Sequence, residues 1–65
     1  MGKSTHRHGV YRVVVSDGFR ARVYRGLRKV ADYRVVPPNY LIELGVADDA
    51  YIAESAAREA KENKL

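Results

Sequence analysis

Between Tyr11 and Val35 apolar and polar residues alternate with a period of two, and the alternation breaks twice at turn residues. That period belongs to half-buried strands, because successive side chains of a strand point to opposite faces while a helix repeats every 3.6 residues. Residues 11–25 read YRVVVSDGFRARVYR, two strand-like runs about a Ser-Asp-Gly turn. A three-residue loop at Ser16–Asp17–Gly18, with Gly18 left-handed, pairs Val15 with Phe19, Val13 with Ala21 and Tyr11 with Val23. A second three-residue loop, Gly26–Leu27–Arg28, pairs Arg25 with Lys29, Val23 with Ala31, Ala21 with Tyr33 and Phe19 with Val35. Both loops put the same odd-numbered apolar set on one face, which makes Phe19 a core residue and defines a three-stranded antiparallel meander.

Pro37–Pro38 closes the third strand, since proline offers no N–H to a ladder. Residues 39–44 read as a fourth strand or a short helical turn, the turn being preferred because Pro38 suits a first helical position and Gly45 a stop. Asp48 or Asp49 then caps a helix running to about Asn63, with Ile52, Ala53, Ala56, Ala57 and Ala60 as its apolar stripe. A stripe of alanines buries little area and gives the helix a weak grip on the sheet, so its distal half is expected to order on a partner. The first nine residues are polar and aperiodic and read as a flexible basic arm. The expectation is an α+β fold, a meander followed by a C-terminal helix, in one small domain over residues 10–63.

Size limits function. A chain of 65 residues buries only roughly 60% of its unfolded surface, which leaves little room for an internal cavity. There is no cysteine for disulfide or thiol chemistry. No apolar run reaches the ~20 residues of a membrane span, and MGKSTHRHG lacks the apolar centre of a signal peptide. A cytoplasmic protein is expected.

Charge is divided along the chain. Residues 1–34 carry nine Lys/Arg against two acids, and residues 35–65 carry three against six. The face opposite the core would present Arg12, Arg20, Arg22, Arg34 and Tyr24, with Arg12 beside Arg22, which lies beside Asp32 and can be relieved by it, and Arg20 beside Arg34, which nothing in the strands relieves. Directly opposed like charges destabilise a sheet by a few tenths to ~1 kcal/mol, so such a face awaits an anion. Guanidinium forks suit phosphate, and Tyr24 offers a stacking surface. Arg25, Arg28 and Lys29 around the second turn, with Lys3 and Arg7 in the arm, would extend the footprint.

Other motifs carry less. Gly2-Lys3-Ser4-Thr5 matches the end of a phosphate-binding P-loop, but the upstream glycine and strand that the loop requires are not in the sequence. His6 and His8 have no cysteine or neighbouring acid to complete a metal site, and in a mobile arm they give a serine no scaffolded base. Neither catalysis nor a cofactor nor a small-molecule substrate is expected.

In its size, lack of cysteine, arginine-studded meander and polar termini, the chain resembles the small lytic-phage proteins that bind host RNA polymerase. That resemblance implies a non-enzymatic transcription regulator, an inhibitor or antiterminator, whose partner is bacterial RNA polymerase. A second resemblance is carried by GVYRVVVSDGFRARVYRG (Gly9–Gly26) and DDAYIAESAAREA (Asp48–Ala60). These are similar to the AP2-type and integrase arm-binding domains, which lay a three-stranded sheet in the major groove of DNA. PPNYLIELGV departs from that pattern, standing where those domains pass straight from strand to helix. The acidic second half favours the protein partner.

Overall fold

The computed structural model describes residues 3–65. Four strands, β1 (Ser4–His8), β2 (Tyr11–Ser16), β3 (Arg20–Arg25) and β4 (Arg28–Arg34), precede two helices, α1 (Asn39–Leu44) and α2 (Asp49–Glu62). The sheet is an antiparallel meander in the order β1-β2-β3-β4. Helix α2 lies across one face, chiefly over the central strands β2 and β3.

The fold is α+β as expected, with one strand more than the three read from the alternation. Residues 4–8, expected in a flexible arm, pair with β2 from Ser4↔Val15 to His8↔Tyr11. Apolar periodicity could not detect this strand, because STHRH contains no apolar residue. What holds it is main-chain pairing and a Gly9–Val10 turn, in which Gly9 takes the positive φ of 62° that a two-residue hairpin commonly requires. One sheet edge is therefore β1, and β2 is internal.

The β2–β3 register differs by two residues from expectation. Ser16 pairs with Arg20, so the loop is Asp17–Gly18–Phe19, and Val13 faces Val23 while Val15 faces Ala21. A two-residue slip preserves parity, and the core face is unchanged. Phe19, however, moves from core to loop. It sits at φ 62° and is 37% exposed, with Gly18 also left-handed at 78°. Its carbonyl still accepts from Val35 N–H at 2.9 Å, the neighbour expected for it.

Between β3 and β4, Ala21↔Tyr33 and Val23↔Ala31 are as expected. Beyond them a bulge shifts the register, so that Tyr24 faces Lys29 and Arg25 faces Arg28 across a two-residue Gly26–Leu27 turn. A bulge inserts one extra residue on one strand. It leaves Val30 half-buried and packed against the core.

The core is small and made of small side chains. Tyr11, Val13, Val15, Ala21 and Val23 from the sheet meet Ile52, Ala53, Ala56, Ala57 and Ala60 from α2. The largest side chains with essentially no exposure are valines. The alanine stripe is thus buried along the whole helix, including Ala60 in its last turn. Asp48 is the N-cap, its Oδ1 accepting from Tyr51 N–H at 3.0 Å. At the far end Lys64 is left-handed at φ 57°, its N–H donates to Lys61 and that of Leu65 donates to Ala60. These two bonds satisfy terminal carbonyls as in a Schellman closure. The Leu65 main-chain oxygen in turn accepts from the Tyr11 hydroxyl at 2.9 Å and from Arg25 at 3.2 Å, tying the helix end to the sheet. Residues 39–44 form the helical turn, closed by Gly45 at φ 77°.

Candidate anion-binding face

Because α2 covers one face of the sheet, the other is defined by the even-numbered residues of β2 and β3. The two-residue slip rearranges the rows that cross it. Arg12 faces Arg7 on one side and Tyr24 on the other, and Tyr24 faces Lys29. Val14 faces Thr5 and Arg22, and Arg22 faces Asp32. Ser16 faces Arg20, which faces Arg34. The expected Arg20/Arg34 juxtaposition is present. The expected Arg12/Arg22 pair is not: Arg12 opposes Arg7 instead, a residue that becomes part of the face because β1 exists.

Among the described residues Asp32 is the one acid on this face. Its carboxylate accepts from Arg20 through Nε at 3.2 Å and Nη2 at 3.0 Å, a bidentate clamp, and lies 3.5 Å from the Lys29 ammonium. Sequence reasoning gave Asp32 to Arg22 and left Arg20 unrelieved. The side chain instead reaches diagonally, relieving the Arg20/Arg34 opposition. The hydrogen bonds from Arg20 lower the Asp32 carboxyl below the ordinary carboxylate range, against a smaller opposing effect of desolvation. The same hydrogen bonds, then the charge of Asp32, raise the Arg20 guanidinium further.

Among the described residues Arg7, Arg12, Arg22 and Arg34 form no ion pair. Arg12 lies over the Tyr24 ring, its Cζ 4.5 Å from the centroid. Such a contact contributes ~0.5–1 kcal/mol when exposed and holds the guanidinium in place without neutralising it. It also covers the ring that sequence reasoning offered as a stacking surface. Lys3 is exposed just before β1.

Arg25 and Arg28 leave the face. Arg25 opposes Tyr11, a core residue, and so points to the helix side, where it bonds Leu65. There it joins His8, Tyr11, Ala57, Arg58 and Lys61 around an open hollow of about 600 Å³. The acids of α2 are confined to the helix side as well. Glu54 pairs with Arg58 at 3.5 Å, and Glu59 and Glu62 are exposed on the surface turned away from the alanine stripe.

A second cluster was missed because its strand was missed. The Ser4 hydroxyl donates to Asp49 Oδ2 at 2.7 Å and contacts His6 Nε2 at 2.9 Å. A serine has one proton to give, so with it committed to Asp49 the imidazole must be the donor to Ser4. Nucleophile activation needs the opposite order, a base accepting from the serine and a carboxylate behind the base. The cluster fastens β1 to the start of α2.

No family model matches this sequence, and no curated protein or solved structure matches it at a significant level. Among the described residues no helix is long and apolar enough to cross a membrane.

Proposed function

We propose that the chain is a non-enzymatic binding module of nucleic-acid machinery, and that the uncovered sheet face binds a polyanion directly, with nucleic-acid phosphates as its ligand. One observation carries this reading. Among the described residues Arg7, Arg12, Arg22 and Arg34 stand unpaired on a face with a single acid, and that acid is already occupied by Arg20 and Lys29. Unpaired guanidinium groups set against one another are unfavourable alone and favourable around phosphate.

The acidic second half had favoured a protein partner. Its helical acids lie behind the sheet, where they neither neutralise the arginine face nor meet a ligand docked on it. Charge separation through the thickness of the domain suits a module that lays one face on nucleic acid. The expected site residues Arg12, Arg20, Arg22, Arg34, Tyr24, Lys29, Arg7 and Lys3 belong to this proposal, and Arg25 and Arg28 flank it.

Docking on a protein such as bacterial RNA polymerase is the second reading, in a cytoplasmic setting and with the same arginines meeting carboxylates. The exposed apolar side chains of Val36, Tyr40 and Leu44 after β4 favour it.

Binding of a fluorescent DNA duplex, followed by anisotropy over a series of salt concentrations, tests the first reading. Log affinity should fall linearly with log salt, and each phosphate contact removed by Arg22→Ala or Arg34→Ala should make the slope shallower by about 0.9. Equal slopes for both variants and the parent protein would refute the face as the ligand site. Capture of polymerase subunits from nuclease-treated lysate, lost in Arg22→Ala, would establish the second reading instead.

A further inference from the structure

The open hollow of about 600 Å³ behind the sheet takes no part in the arginine face. Tyr11 opposes Arg25 on the helix side and His8 opposes Tyr11, so the ends of three strands turn side chains toward α2 there. Helix α2 supplies the other wall through Glu54, Arg58 and Lys61, which fall on one stripe of the helix. A hollow of this size lies within the ~300–1,000 Å³ of small-molecule sites.

Its charge is lopsided. Three Lys and Arg side chains line it against one acid, an excess of two positive charges with His8 neutral. Glu54 serves Arg58 at 3.5 Å, and Arg25 gives one N–H of its fork to the Leu65 main-chain oxygen. Among the described residues Lys61 has no carboxylate partner. The helix dipole alone accounts for a cation in the last turn, and so for Lys61. It does not account for Arg25 and His8, which reach the same hollow from β3 and β1. Between the cations the surface is apolar. Tyr11 and Ala57 are buried beneath it, the Tyr11 hydroxyl is taken up by Leu65 at 2.9 Å, and Val10 stands 61% exposed beside them.

We propose that this hollow binds a nucleotide through a phosphate monoester, as a site separate from the arginine face. A monoester carries a charge of about −1.5 to −2 near pH 7 and three acceptor oxygens, which matches the excess of positive charge better than the single charge of a backbone phosphate. Its oxygens engage Arg25 and Lys61. The base lies against Val10 and the surface over Tyr11 and Ala57, which an inorganic anion would leave uncovered. The monoester belongs to a free nucleotide or to the 5′ end of a nucleic-acid strand. A duplex laid on the arginine face is on the other side of the sheet and does not reach it.

The test is titration of the 15N-labelled full chain with adenosine monophosphate to about 10 mM, read by amide shifts in NMR. Amides of His8, Val10, Ala57 and Lys61 should shift saturably with a Kd of about 1 mM or tighter. Lys61→Glu should raise that Kd at least about tenfold, the effect of losing one charge-assisted hydrogen bond. Lys61 is exposed, so the variant should keep the parent circular dichroism. Arg25→Gln, which retains a donor for Leu65, should weaken binding similarly, whereas Arg22→Ala should leave it unchanged. Adenosine should not shift these amides over the same range. No saturable shift at the hollow, equal shifts by adenosine, or binding lost in Arg22→Ala and kept in Lys61→Glu would each overturn the proposal. Pentathymidylate with a 5′-phosphate separates the two sources: tighter binding than the mononucleotide assigns the hollow to a strand end, and weaker binding assigns it to a free nucleotide. The same strand without its 5′-phosphate, if it shifted the hollow equally, would overturn the monoester. None of these outcomes bears on the duplex salt slopes of Arg22→Ala and Arg34→Ala, so this site and the arginine face fail separately.

Discussion

Asp32→Asn is the substitution that most directly tests the electrostatic reading of the sheet. Asp32 sits inside the cationic face, clamped by Arg20 at 3.0 Å and 3.2 Å and approached by Lys29 at 3.5 Å. Asparagine keeps the shape and removes the charge. The folded domain should hardly respond, because the pair is exposed and salt-screened, and Tm should move by about 4 °C or less. Binding should respond clearly. Removing a negative charge held about 7 Å from a phosphate, across a medium like water, gains about 0.6 kcal/mol for that phosphate. Two phosphates, one near Arg20 and one near Lys29, would raise duplex affinity roughly five- to tenfold at low salt. Because two cations are also released to make contacts of their own, the plot of log affinity against log salt should steepen by up to about 1.8. Anisotropy with a labelled duplex at four or five salt concentrations measures both quantities. Unchanged affinity and slope, with the fold intact, would mean that phosphates do not approach this face, and the proposed function would fall with it.

The Asp32 carboxyl should titrate below the ~3.9 of an unfolded chain, as followed by its 13C resonance in an acid titration. Its folded value is depressed, so the stability it contributes is present above the unfolded value and is lost as pH falls through the folded one. An ordinary titration would show that the Arg20 clamp does not persist in solution. Phe19→Ala should cost less than about 1.5 kcal/mol rather than the 3–5 kcal/mol of a core phenylalanine, and Phe19→Gly should be neutral or stabilising because it relieves ~1–2 kcal/mol of left-handed strain. Urea melts decide this, and a loss above about 3 kcal/mol for alanine would put Phe19 back in the core. Ala56→Leu should destabilise by at least ~1–3 kcal/mol, since Ala56 is fully buried where α2 meets the sheet. A neutral result would mean that the helix does not pack as closely as its alanines require.

Much of the fold is legible in the sequence because face assignment depends only on parity. Tyr11, Val13, Val15, Ala21 and Val23 are buried whether the β2–β3 loop is Ser16–Gly18 or Asp17–Phe19, as both loops are three residues long and the register between them changes by two. The cap at Asp48 and the alanine stripe of α2 are local signals and are equally readable. β1 was not readable. STHRH has no apolar alternation and Thr5 is its single strand former, so its pairing is decided by main-chain hydrogen bonds and by Ser4 reaching Asp49, 45 positions away. Gly9 was the signal that could have revealed it, since a glycine between two short runs suits a two-residue turn.

The candidate site is less legible than the fold, for a physical reason. A face needs parity, but a site needs neighbours, and neighbours depend on register. The slip of two residues leaves every arginine of β2 and β3 on the face that parity gave it while replacing its partners. Arg12 exchanges Arg22 for Tyr24 and Arg7, and the first of these locks it where the second repels it. Asp32, whose Cα partner Arg22 is the same in both accounts, bonds Arg20 because a carboxylate on a twisted sheet can reach the diagonal neighbour, and a bidentate fork rewards it for doing so. The like-charge opposition that first marked this face therefore survives in altered form. It moves from Arg12/Arg22 to Arg7/Arg12 and is partly relieved at Arg20/Arg34. An anion drawn to the least compensated charge should then engage Arg7, Arg12 and Arg22 before Arg20, so Arg7→Ala should weaken duplex binding more than Arg20→Ala. The reverse order in the anisotropy titration would show that the Arg20–Asp32 clamp opens on binding and that register alone does not rank the arginines.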